Sequence, residues 1–342
     1  MIRPWRDDDA TGWDSFVSRH PAARCCHLSA WKRIVERAFG HSTYYLVSEG
    51  EDRRVDGVFP MVRLRSRLFG DFLVSVPYLN YGGPCAESEG GFRELMAAGS
   101  ATAASLGVKH LEIRTETGTD YGLPIKSAKV SMRLEVPGSP DVLWKQLGTK
   151  LRSQVKRAQQ EAMTVTFGRE EELPAFYDVF AENMRDLGTP VYARSFFDTI
   201  LRELPDATWI CCVRLGAQPV AAGFLMSFGG MLEIPWASSL RRYNRLGPNM
   251  LLYWSVLQFA CEHGFRVFDF GRSSPDSGTY RFKAQWGALP VPLYWHYWLR
   301  EGGTLPDLTP RNPKMQLAIR AWQKLPVAVT RLIGPSIVKN LP

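Results

Sequence analysis

Apolar residues along this chain recur in two rhythms: short strand-like runs, and longer segments with an apolar residue every three to four positions. The longer rhythm predicts helices over 8–16 and 29–38, the second with Trp31, Ile34, Val35 and Ala38 on one side and Ser29 as its cap. Strands over 43–48 (TYYLVS), 55–63 (VDGVFPMVR) and 72–77 follow, then a helix over 91–104 closed by Leu106-Gly107, then a strand over 108–114. The same order returns downstream. Helices are expected over 176–183 and 193–204, strands over 208–214, 219–227 and 231–237, a helix over 250–262 closed by His263-Gly264, and a strand over 267–270. Gly57 matches Gly223 within a strand and Gly83-Pro84 matches Gly247-Pro248 before a helix, at offsets of 166 and 164, and Gly107 matches Gly264 after that helix. Repeated order with repeated punctuation predicts an α/β (α+β) fold made of two copies of one unit. The expected domains are 1–140 and 141–300, with 301–342 a C-terminal helical extension packing back on the first domain. Between the copies a helix starts at Pro140-Asp141 and continues through LGTKLRSQVKRAQQEA, placing Arg152 and Lys156 on one face.

Composition narrows the chemistry. A chain of 342 residues, 45% hydrophobic and 22% charged, is globular and long enough for two domains. Its net charge of +8 favours anionic partners: phosphates, nucleic acid or a membrane surface. The six cysteines include no CxxC spacing, which excludes the common zinc and redox motifs. The start MIRPWRDDDA has no apolar signal-like core, and no run of about 18 apolar residues occurs, so a cytoplasmic protein with reduced cysteines and no metal is expected. Neither a G-x-S-x-G elbow nor a phosphate-binding GxxxxGK[ST] loop is present, and no pair of histidines has metal-ligand spacing.

Strand, glycine-containing loop, helix and strand form the core of acetyltransferase-like α/β proteins, where loop amides and the helix N-terminus cradle a pyrophosphate. Here that loop reads Arg245-Leu246-Gly247-Pro248-Asn249. Pro248 has no amide hydrogen and the side chain of Asn249 crowds the approach, so an acyl-CoA cradle is degraded. The most informative stretch is 267–288, VFDFGRSSPDSGTYRFKAQWGA. An apolar strand ends at Gly271, a polar loop covers 272–278, and Tyr280, Phe282 and Trp286 then interleave with Arg281 and Lys283. Cations among aromatics beyond a strand end suit an anionic or polar substrate.

The doubled unit, the basic KLRSQVKRA helix, the loop Gly247-Pro248-Asn249 entering a helix, and above all FDFGRSSPDSGTYRFKAQWGA resemble the FemAB family, in particular its relatives associated with the exosortase/PEP-CTERM system. The resemblance implies two tandem GNAT-like domains and transfer of an amino acid from aminoacyl-tRNA to an amine of a peptidoglycan-related precursor. It implies no resident cofactor. Its Phe-Lys pair matches Phe282-Lys283, which makes Lys283 the implied catalytic cation, with Tyr280 and Arg272 as assisting donors. Lys32 in HLSAWKRIVERAFG and Arg194 in YARSFF match its phosphate-binding positions, and Glu87 its acidic residue beyond the first Gly-Pro. Arg152, Lys156, Asn249 and Trp286 complete the expected substrate-binding set, and Asp269 joins Glu87 as a candidate base. The sequence shows no long coiled-coil arm of the kind some members insert. The expected partners are an anionic cell-envelope precursor, peptidoglycan- or exopolysaccharide-related, aminoacyl-tRNA as donor, and a peripheral membrane contact. The alternatives are an acyl-CoA-dependent N-acyltransferase and a non-catalytic module for anionic glycans or nucleic acid.

Overall fold

A computed structural model describes residues 1–67, 69–306 and 313–341. The chain divides into two compact units, the first holding Met1–Lys129 and the stretch from Pro292, the second Val130–Val291 and the C-terminal helices to Val338.

In the first unit β1 (Ile2–Pro4), α1 (Ala10–Arg19) and α2 (Ala30–Phe39) precede β2 (Ser42–Thr43), β3 (Leu46–Glu49), β4 (Val55–Phe59), β5 (Val62–Ser66) and β6 (Gly70–Val74). After these come β7 (Cys85–Ala86), α3 (Glu89–Ser105) and β8 (His110–Thr115). The expected strands 43–48 and 55–63 are each broken in two. Pro60 has a fixed φ and no amide to donate, and the hairpin bends there, so β3 and β4 pair in one sheet while β2 and β5 pair in another. Ser29 does not cap α2 with its side chain; its amide and hydroxyl donate to the Asp14 carboxylate instead, at 2.7 Å each.

The chain continues with β9 (Ile125–Glu135), α4 (Pro140–Gln146), α5 (Thr149–Gln160), β10 (Met163–Gly168), α6 (Leu173–Leu187) and α7 (Arg194–Glu203). Then come β11 (Thr208–Leu215), β12 (Gln218–Phe228), β13 (Met231–Ser239), α8 (Pro248–Glu262), β14 (Val267–Ser273), α9 (Gly278–Ala284), β15 (Leu289–Leu299), α10 (Pro313–Gln323) and α11 (Val327–Val338). The single helix expected after Pro140 is two. Ser139 caps α4 through Val142 N, and extended Leu147 and Gly148 separate α4 from α5, since glycine is a poor helix former. In the second unit the strand order is β10-β11-β12-β13-β14-β9, antiparallel except for β13 and β14. Successive residues of β11 face opposite sides of this sheet. Cys211 meets the core under α8, whereas Cys212 points toward α6, with its Sγ nearest the Glu172 carbonyl. The α6–α7 side is an aromatic cluster in which Phe197 touches Phe176, Phe224 and Trp236 with ring centroids 4.9–5.6 Å apart.

The internal repeat survives at the glycines under the long helices. A Cβ on Gly57 would meet Leu95 of α3, and one on Gly223 would meet Ile234 and lie 3.8 Å from Leu252 of α8, so both strand glycines let a helix approach. Gly107 and Gly264, at φ +64 and +71, end α3 and α8 in the same left-handed way. The Gly-Pro pairs are not equivalent. Pro248 is the first residue of α8, whereas Pro84 leads into β7, and α3 begins later under a Ser88 cap. The C-terminal helices also differ from expectation: α10 and α11 contact α6 of the second unit. Among the described residues no helix is long and apolar enough to cross a membrane, and no cluster suited to a metal ion occurs.

Candidate active site

The region singled out by sequence is a strand kink held by buried charge. β13 and β14 run parallel only from Met231 to Glu233 against Val267 to Asp269, and the register of β14 against β9 then shifts before Arg272. Gly271 makes the kink at φ +77, and Asp269, fully buried, holds it. The Asp269 carboxylate accepts from the Gly271 amide (2.7 Å), Ser131 Oγ (2.6 Å) and Arg133 Nε (3.2 Å). These donors leave Asp269 a structural anchor rather than an open base.

Beyond the kink and the polar loop stands the short helix α9, which carries the run of aromatics and cations. Ser277 caps it, its Oγ accepting from Tyr280 N at 3.2 Å. The helix carries Lys283 back beneath the strand end, where Nζ donates to the carbonyls of Gly271 (2.9 Å) and Arg272 (3.0 Å). Lys283 is 8% exposed. Burial pulls its pKa down from 10.5 to about 8, against the attraction of Asp269 and with some repulsion from Arg272. An ammonium has three N–H bonds, and two of them go to these carbonyls. Phe282 packs edge-on against Tyr253, which stacks on Phe270. Trp286 is core, and its indole N–H is buried without a hydrogen-bond partner. Tyr280 is half-buried and the Arg272 side chain is exposed.

The N-terminus of α8 is closed. A 3-10 turn from Arg241 to Leu246 precedes it, Gly247 sits at φ +71, and the amides of Met250 and Leu251 both turn back to the Gly247 carbonyl. Pro248 offers no amide, and half-buried Asn249 is the second helical residue. On this end lies α5. A Cβ on Gly247 would stand 3.2 Å from Ala158, and Arg157 donates to the Arg245 carbonyl at 3.3 Å. Exposed Lys156 and half-buried Arg152 share one α5 face, while Arg194 starts α7 on the other side of the sheet. The second unit therefore does not gather these three cations on one face. Lys32, in the first unit, is paired with Glu36 at 2.6 Å, and exposed Glu87 with Arg19 at 3.0 Å.

Sequence reasoning missed a second feature, a cavity of about 400 Å³ in the first unit. It opens where β8 ends, between the Tyr81–Pro84 loop and the run Arg114 to Thr117. Arg24 pairs with Glu116 across it at 2.6 Å, and Tyr81, Phe92 and Tyr121 supply aromatic walls. His27 sits at its edge. Its Nε2 donates to the Gly83 carbonyl (2.9 Å), its Nδ1 accepts from Arg24 N (3.0 Å), and burial lowers its pKa to about 4, so the ring is neutral. The rule that pointed to the end of β14 points equally to the end of β8, because β6 and β8 are parallel there.

Comparison with known proteins places this geometry. The Acetyltransferase (GNAT) domain family matches residues 146–284. The fold is similar to that of FemX, at 15% identity and a TM-score of 0.66 over 86% of this chain and 96% of that one. It is similar to the C-terminal domain of a putative lysylphosphatidylglycerol synthetase from Agrobacterium fabrum, at 15% identity and 0.58 over 86% and 93%. A tandem GNAT protein from the clavulanic acid biosynthesis pathway matches at 13% identity and 0.54 over 90% and 99%. No curated protein matches the chain. The protein is thus a mixed α/β chain of two tandem GNAT-like domains, the fold of N-acyltransferases.

Proposed function

We propose that the protein transfers an activated acyl group, an aminoacyl group in the first place, to an amine of an anionic cell-envelope precursor related to peptidoglycan or exopolysaccharide. The closed N-terminus of α8 carries this reading. In an acyl-CoA enzyme that helix end would offer free amides to a pyrophosphate; here Pro248 has none to offer, the Met250 amide turns back to the Gly247 carbonyl, and α5 packs on the end. The FemAB-like Phe282-Lys283 motif, and a fold shared with FemX, support a donor other than acetyl-CoA.

Acyl transfer needs an amine nitrogen to attack the acyl carbonyl, a tetrahedral oxyanion to be held, and the ester C–O bond to break as the alcohol leaves with a proton. Lys283 is assigned to the oxyanion: burial strengthens its field and the two carbonyls fix its position. Tyr280 and Arg272 are the assisting donors and Phe282 packs the floor; Arg152 and Lys156 on one face of α5, with Asn249 at the start of α8, are assigned to the anionic substrate, whereas Arg194, across the sheet, and Lys32, in the first unit, are not. Neither carboxylate candidate is assigned as base: Asp269 is spent on the kink, and exposed Glu87, in the first unit, is paired with Arg19 at 3.0 Å.

Calorimetry with acetyl-CoA and with aminoacyl-tRNA tests the donor. Acetyl-CoA is expected to bind with a Kd weaker than about 100 μM, that is, about −5.5 kcal/mol or less favourable. Micromolar acetyl-CoA binding would replace this reading with an acyl-CoA-dependent transferase. Substrate binding with no turnover from any donor would replace it with a binding module.

A further inference from the structure

The last helix, α11, is amphipathic in the reverse sense. On α11, Thr330, Gly334 and Val338 face inward, and a Cβ on Gly334 would meet Val191. The outward stripe is Val329, Leu332 and Ile333, spaced as one helical face. Leu332 is 79% exposed and Ile333 39%. On α10, Leu317 is 70% exposed, with Ala318 and Ala321 beside it. An outward face on a water-soluble helix is ordinarily polar; that of α11 is not, while α10 exposes Leu317 among Gln316, Arg320 and Gln323.

The charge of the C-terminal segment itself has one sign, and the α6 carboxylates beside it, Asp178, Glu182 and Asp186, are each paired with an arginine. After Asp307 the sequence has no acidic residue, while Arg311, Lys314, Arg320, Lys324, Arg331 and Lys339 are all cationic. Arg331 pairs with Asp178 at 2.7 Å. Arg320 and Lys324 are exposed and pair with no carboxylate among the described residues. A second copy of this surface would bring cation against cation. An anionic partner with an apolar interior complements both features, and a lipid bilayer with acidic headgroups has that chemistry.

We propose that the outward faces of α10 and α11 dock on an anionic lipid surface, with Leu317, Leu332 and Ile333 entering the headgroup boundary and Arg320 and Lys324 facing lipid phosphates. Its test needs no substrate. The full chain is sedimented with vesicles of phosphatidylcholine alone and of phosphatidylcholine mixed with phosphatidylglycerol, and light scattering reports its oligomeric state. The wild type is expected to pellet with the anionic vesicles only and to release as salt rises. Arg320→Gln with Lys324→Gln is expected to weaken partitioning about 25-fold, at roughly fivefold per charge. Leu332→Ser with Ile333→Ser, at surface positions that leave the core intact, is expected to weaken it about tenfold or more. A wild type that stays in the supernatant overturns the proposal, as does equal binding to both vesicle types. So does a folded serine variant that binds unchanged. A wild-type dimer that the serine variant dissolves would show that the face belongs to a second copy instead.

Discussion

Replacing Lys283 by methionine separates catalysis from folding, because the stability terms oppose one another. Lowering the pKa from 10.5 to about 8 corresponds to about 3 kcal/mol held against the charged form in the folded protein. Methionine fills a similar volume without that cost. It forfeits two hydrogen bonds from a charged donor, worth about 1.5–3 kcal/mol each. The bereaved carbonyls belong to half-buried Gly271 and exposed Arg272, where water can replace part of the loss. The terms cancel to within about 2 kcal/mol, so Lys283→Met is expected to fold. Turnover is expected to drop about 100-fold or more, the scale of losing one oxyanion donor. The pH dependence adds a signature. The folded pKa lies below the unfolded one, so the penalty for burying the charge is full below about pH 8. It is relieved as pH rises from about 8 toward 10.5, and wild type should gain stability relative to Lys283→Met across that window. Its catalytic advantage should shrink over the same rise, as the ammonium loses its proton. Thermal unfolding and single-turnover transfer across pH measure both. A folded variant with near-normal turnover would refute the assignment, and a rate ratio independent of pH would refute the cationic role.

Asp269→Asn is expected to cost about 3 kcal/mol in urea unfolding, the scale of breaking a buried ion pair; a loss below about 1 kcal/mol would show that the carboxylate does not hold the β14 kink. Gly247→Ala puts a side chain at φ +71 with its Cβ 3.2 Å from Ala158, and should lower stability by about 1–2 kcal/mol, while an unchanged melting temperature would mean that α5 does not close the end of α8. Arg152→Gln with Lys156→Gln should raise KM more than it lowers kcat and flatten the salt dependence of KM; an unchanged KM would remove α5 from the substrate path.

The long elements were legible because their signals are local. The helices α3 and α8 are long segments free of internal proline that end at Gly107 and Gly264, whose left-handed backbone is a requirement the sequence itself displays. The breaks were harder. Nothing in VDGVFPMVR distinguishes a proline at a sheet edge from one at a bend, because the answer depends on which strands β4 and β5 pair with. The helix α9 was hidden for another reason: at seven residues it is too short for a period, and Ser274 to Gly278 reads as turn chemistry although Ser277 is its cap. Lys283 was found through the FemAB-like motif, but its burial was not, since that comes from α9 folding back under the β14 carbonyls. The first-unit cavity combines Arg24, Tyr81, Glu116 and Tyr121, which are scattered in sequence and meet only in the fold.

None of the six thiols is in a disulfide, all are buried, and they fall three to each unit: Cys25, Cys26 and Cys85 in the first, Cys211, Cys212 and Cys261 in the second. Burial pushes the Cys85 thiol up to about 12 and those of Cys211 and Cys212 upward as well, so in the closed state they are poor nucleophiles. Alkylation must then wait for the chain around each sulfur to open. Labelling rates become a clock for local unfolding, with a separate dial for each unit that needs no engineered probe. A donor that tightens only the second unit would slow modification of Cys211, Cys212 and Cys261 and leave Cys25, Cys26 and Cys85 at their own pace.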